Sequence, residues 1–78
     1  MIPDYTLESL QNYVKHHMPP GDFLEAVLCN DLCEAFARAD DNNIAAMFEI
    51  VQWVYCRVPS SAWRSKEKVE AWLDKADS

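Results

Sequence analysis

The sequence predicts an all-α fold: a compact bundle of four helices over about residues 6–17, 22–39, 42–58 and 66–76, with the third helix central. Three observations predict it. The chain holds a single glycine in 78 residues while half of them are apolar, rich in Ala, Leu and Val, a balance that favours helix over sheet and turn. Apolar residues recur at three- and four-residue spacing, and no stretch alternates as a half-buried strand does. Prolines and Asp, Asn and Ser clusters punctuate the periodic stretches. The chain, residues 1–78, is long enough for one domain. A domain so short buries only about 60% of its unfolded surface, so its stability margin is thin.

"TLESLQNYVKHH" opens the first helix, with Thr6 as N-cap, Glu8 in the first turn and Lys15, His16 and His17 in the last, charges that suit the helix dipole. Leu7, Leu10, Val14 and His17 share a face, and Pro19, Pro20 and Gly21 stop the helix. The second helix is "DFLEAVLCNDLCEAFARAD", with Asp22 as its cap. Leu24, Leu28, Leu32, Ala35, Phe36 and Ala39 form the stripe expected in the core. Phe23 and Val27 fall on a second face with Asp31, Glu34 and Arg38, where Glu34 and Arg38 make an i,i+4 pair. "DDNN" breaks the chain and offers Asp41 or Asn42 as the next cap.

The third helix, "IAAMFEIVQWVYCRV", is the most apolar part of the chain. Ile44, Met47, Phe48, Val51, Val54, Tyr55 and Val58 form one broad face, opposite Ala45, Glu49, Gln52 and Cys56. Such a width fits a central helix with several neighbours, so Val51→Asp is expected to unfold the domain. Trp53 stands off that face, beside the polar side. Pro59 ends the helix, and Ser65 caps a last one whose apolar face is Val69, Trp72, Leu73 and Ala76, with Trp63 packing nearby.

Thirteen acidic against seven basic residues give a net charge of −6. That balance disfavours direct nucleic-acid binding and attraction to anionic membranes. No segment reaches the roughly 20 apolar residues that span a bilayer, and "MIPDYTLESL" lacks the basic and apolar regions of a secretory signal. Three cysteines, an odd number, fit a reducing cytoplasm. Asp22, Glu25, Asp31, Glu34, Asp40 and Asp41 crowd twenty positions and raise the alternative of an acidic DNA mimic, although their spread around the helix reads as a solvated surface.

No catalytic motif is present: there is no Gly-rich phosphate loop, HExxH or nucleophile elbow, and an enzyme is not expected. Cys29 and Cys33, four apart and near His16 and His17, are the nearest approach to a zinc site. Their spacing is not that of a finger or knuckle, so they are read as small core hydrophobes, with no metal and no cofactor expected. Cys56 is read as a half-buried filler, and the histidines as complements of the helix dipole.

In "PPGDFLEAVLCNDLCEAFARADDNN" and "SSAWRSKEKVEAWL" the chain resembles a group of small proteins of tailed bacteriophages that share a Pro-Pro-Gly start to an Asn-Asp-Leu helix and a terminal Lys-Val…Ala-Trp-Leu helix. The resemblance spans about residues 10–73. It implies no activity and no catalytic residues. What it does imply is a small accessory protein in the cytoplasm of an infected bacterium, acting on host machinery such as a defence protein.

The functional expectation is stoichiometric binding that inhibits a host defence or regulatory protein. The expected partner-binding residues are Phe23, Val27, Asp31, Glu34, Arg38 and Trp53, which combine aromatic anchors with charge, unless the first and last helices cover them. Alternatives are an oligomeric sponge for a nucleotide signal, using Arg38, Arg57, Arg64 and Lys66 with Trp53 or Trp63, and a purely structural homo-oligomer. A chain this short and apolar also has more greasy surface than four short helices can hide, which points to a homodimer.

Overall fold

Among residues 1–75, which the computed structural model describes, every regular element is helical. The order is α1 (Asp4–His16), α2 (Asp22–Leu28), α3 (Leu32–Arg38), α4 (Asp41–Ala45), α5 (Met47–Arg57), a 3-10 turn (Ser60–Ala62) and α6 (Lys66–Asp74). The fold is all-α, as the periodicity predicts. Four expected helices become six because the second and third are each interrupted. The expected end of the last helix, with Ala76, lies outside the described residues.

The break in the second helix has a local cause. Asn30 adopts φ 63°, the left-handed conformation that Asn tolerates better than most residues. The Asn30 N–H donates to the Val27 carbonyl and the Asp31 N–H to the Ala26 carbonyl, the paired bonds of a Schellman ending. Asp31 then caps α3, its carboxylate accepting from the Glu34 N–H at 3.3 Å. Between α4 and α5 the interruption is one residue, Ala46, and the Ile50 N–H still donates to its carbonyl.

The caps differ in detail from those expected. Ser65 does cap α6, accepting from the Lys68 N–H. Thr6 is no cap, because α1 begins two residues earlier, after Pro3. Gly21 takes the cap position of α2 at φ 96°, where a side chain is strained, and Asp22 moves into the first turn. Asp40, instead of Asp41 or Asn42, caps α4 by accepting from the Asn43 N–H at 2.8 Å.

The core is built from Leu10 and Tyr13 of α1, Leu24, Val27 and Leu28 of α2, Ala35 of α3, Ala46 before α5, and Ile50 and Val54 of α5. Val58, Ala62 and Val69 close it. The buried face of α1 is therefore Thr6, Leu10 and Tyr13, rotated from the expected Leu7, Val14 and His17, which are half-buried. Polar partners explain the rotation. Thr6 is buried because its hydroxyl donates to Asn43 Oδ1 at 2.6 Å, joining α1 to α4. Tyr13 is buried because its phenol donates to the Ala62 carbonyl.

Tyr13 also holds α6. Its carbonyl accepts from Trp72 Nε1 at 2.8 Å. The Trp72 and His17 rings pack at a tilt of 45° with centroids 4.4 Å apart, and His17 Nδ1 lies 3.0 Å from the Trp72 carbonyl. Burial pushes the Tyr13 phenol well above the ordinary tyrosine range, so it stays a donor at all physiological pH. Tyr13→Phe keeps the shape and leaves the buried Ala62 carbonyl without its donor. The expected cost is about 1–2 kcal/mol in denaturant unfolding with an unchanged slope. A variant as stable as the parent contradicts the assignment.

A second polar node sits at the surface end of the α1–α4 contact. The Tyr5 hydroxyl donates to Asp40. Chiefly through that bond, and then through the Asn43 N–H, the Asp40 carboxyl is held below its usual range. The same bond raises the Tyr5 phenol above its usual range. The two signs act at opposite ends of the pH scale. The Asp40 contribution is present above the ordinary Asp range and is lost as pH falls through the depressed value. The Tyr5 contribution is present below the ordinary Tyr range and is lost as pH rises through the raised value. Tyr5→Phe is expected to flatten both limbs of a melting-temperature profile against pH; parallel profiles for variant and parent rule the node out as a stabilising contact.

Candidate functional site

The reorientation at Asn30 decides what the surface carries. Had the second helix run straight, Leu32, Ala35, Phe36 and Ala39 would have continued the stripe of Leu24 and Leu28. After the Schellman turn only Ala35 of α3 enters the core. Leu32 is 66% exposed and Phe36 stands beside it, one turn on, nearly half exposed. This corrects the expectation that both are core residues.

A similar division splits the third apolar stretch. Met47, Ile50, Val54 and Val58 face inward. Ile44, Phe48, Val51 and Tyr55, also expected in the core, lie around the helix on its outer side. Phe48 is 75% exposed, Tyr55 69% and Val51 42%. The apolar sector is wider than one small core can cover, so half of it is left in water.

The two exposed sets meet. Leu32 and Val51 line one cleft of about 100 Å³ between α3 and α5, with Val27, Ala35, Met47 and Val54 also lining it. Trp63 lines the same cleft, and Tyr55 meets the Trp63 ring edge-on at 6.3 Å. Arg64 covers Trp63, its guanidinium carbon 4.9 Å from the ring centroid. From Ile44 to Cys56 the exposed positions are Ile44, Ala45, Phe48, Val51, Gln52, Tyr55 and Cys56, and none bears a charge. Asn30 and Asp31 complete the lining of the cleft, and large apolar side chains gathered in this way mark a surface that gains by leaving water.

No family model matches the chain, and no curated protein or solved structure matches it. The site therefore rests on its own chemistry. Among the described residues, no helix is long and apolar enough to cross a membrane.

The residues expected to bind a partner do not form one surface. Val27 is in the core. Phe23 and Trp53 are half-buried and pack against that core, Trp53 beside Gln11, Val14 and Lys15 of α1. Asp22, Asp31, Glu34 and Arg38 line a shallow polar depression with Cys29 and Lys66. There Arg38 Nε donates to Glu34 at 2.9 Å and its Nη1 to Asp22 at 3.3 Å, and the Glu34 bond first, then both charges, hold the guanidinium further above its usual range. Arg57 lies apart, next to Trp53, and Arg64 over Trp63, so the basic residues of a nucleotide seam are not gathered within one chain.

The cysteines also change place. Cys29 ends α2 and Cys33 belongs to α3, so they are not an i,i+4 pair on one helix. Of the two expected in the core, Cys33 is exposed and Cys29 half-buried, and Cys56, expected half-buried, is exposed. Burial and the nearby Glu25 raise the Cys29 thiol above its usual range, which keeps it protonated and unreactive. Among the described residues no three His, Cys, Asp or Glu come together as metal ligands.

The exposure of Val51 reverses the expected outcome of its substitution. Val51→Asp can turn its carboxylate to water at the mouth of the cleft, so the isolated domain is expected to stay folded with a loss of about 1 kcal/mol. Val54→Asp, one turn away and fully buried, is expected to unfold it. Circular dichroism melts at low concentration compare the two directly. A Val51→Asp domain that is unfolded returns Val51 to the core and removes the face.

Proposed function

We propose that this chain works by stoichiometric protein–protein binding, with the exposed face of α3 and α5 as its contact. The observation that carries this reading is the set of large apolar side chains, Leu32, Phe36, Phe48, Val51 and Tyr55, left in water on α3 and α5. Burial of apolar surface returns about 25 cal/mol per Å². The three aromatic side chains on this face, Phe36, Phe48 and Tyr55, therefore supply anchors of the strength that dominates interfaces. The polar depression around Arg38 lies outside this face and serves as a solvated rim.

The resemblance to small phage proteins supports a setting for this binding. The partner there is a host protein of an infected bacterium, and occupying its surface inhibits a defence or regulatory step. No covalent chemistry is needed for that role; affinity and copy number suffice. Self-association is a second use of the same physical resource.

The face is tested by comparing the parent with Phe48→Asp in capture experiments from a bacterial extract. Phe48→Asp is expected to lose the captured protein by at least about thirtyfold in affinity while melting like the parent. A captured protein held equally well by both forms places the contact elsewhere.

A further inference from the structure

We infer that the occupant of the α3–α5 face is a second copy of this chain, an inference that rests on the reading of that face as a protein contact. Three observations point to a copy. The first is spacing. On α5, Phe48, Val51 and Tyr55 follow one another at intervals of three and four, and Ile44 stands four residues before Phe48, on α4. That is the spacing of a seam between two helices packed at about +20°, so α5 of a second copy presents a matching partner for it.

The second is area. With side chains of roughly 150–200 Å² each, the exposed fractions of Leu32, Phe36, Ile44, Phe48, Val51 and Tyr55 amount to roughly 500–700 Å². A stable complex needs about 800 Å² on each partner. Ala45 and Gln52 beside the seam supply the remainder. The patch is thus as large as one side of a dimer, and at or above the roughly 300–600 Å² largest patch of an ordinary monomer.

The third is charge. Each copy carries −6, so two copies repel wherever their acidic surfaces face each other. From Ile44 to Cys56 the exposed positions of α4 and α5 carry no charge, and the exposed Asp41 and Arg57 stand at the two ends of that strip. The strip is the place where two acidic chains meet with the least Coulombic cost. A basic partner gains nothing from an uncharged strip and would be drawn to the carboxylates instead. A two-fold axis places the strip on itself, which closes the assembly at two copies.

The experiment is sedimentation equilibrium of the full chain across the micromolar range, with Phe48→Asp and Val51→Asp alongside. The parent is expected to be a dimer, and each substitution, present twice in a symmetric interface, to raise the dissociation constant at least about a hundredfold. Melts at concentrations where the parent is monomeric keep the comparison sound, because both side chains are exposed and both variants are expected to stay folded. A strictly monomeric parent at high micromolar concentration overturns the inference, as does a dimer that both variants retain. The bacterial-extract capture separates this from the broader reading. A monomeric parent whose captured protein is lost in Phe48→Asp keeps the face and replaces the copy with another protein. A monomeric parent with no loss on substitution removes both.

Discussion

Tyr13 is the point on which this small structure closes. Its ring is fully buried, its hydroxyl reaches the Ala62 carbonyl and its own carbonyl receives the Trp72 indole. One residue of α1 thereby fixes the turn before α6 and α6 itself, across almost fifty positions of sequence. α6 is too short to persist alone, so it exists by docking there. The docking has a geometric consequence. Residues of α1, α2 and α6 share one core with Ile50 and Val54, and Leu32, Phe36, Phe48, Val51 and Tyr55 of α3 and α5 are left exposed.

The class of the fold was legible in the sequence because periodicity and composition are local properties. So was the Ser65 cap. The faces were less legible, because a helical wheel assumes an unbroken helix. Asn30 and Asp31 break one, and every residue after them turns to a new direction. A signal existed: Asp31 followed three residues later by Glu34 is the pattern of a helix start, and Asn30 suits a left-handed ending. The long apolar run around it concealed both. Thr6 and Tyr13 were missed for another reason. Their burial depends on Asn43 and Ala62, partners distant in sequence that no local pattern names.

The same distinction explains the candidate site. The wide apolar sector of the third stretch was plain in the sequence, as was the excess of greasy surface in so short a chain. Which half of the sector faces water depends on how many neighbours the helix acquires. The structure buries Met47, Ile50, Val54 and Val58 and leaves Ile44, Phe48, Val51 and Tyr55 exposed. Trp53, which looked displaced, is covered in part by α1, while Phe48 and Tyr55, which looked central, are not. A marginal domain leaves such side chains exposed at a cost in solubility. A contact that buries them would offset that cost.

The most direct measurement is a dilution series of amide proton–nitrogen correlation spectra on the isotope-labelled chain. The account predicts concentration-dependent shifts confined to Leu32, Phe36 and the outer positions of Ile44–Tyr55, with the amides around Tyr13 and Trp72 unmoved. Shifts centred on α1 and α6, or spectra that do not change with concentration, would contradict it.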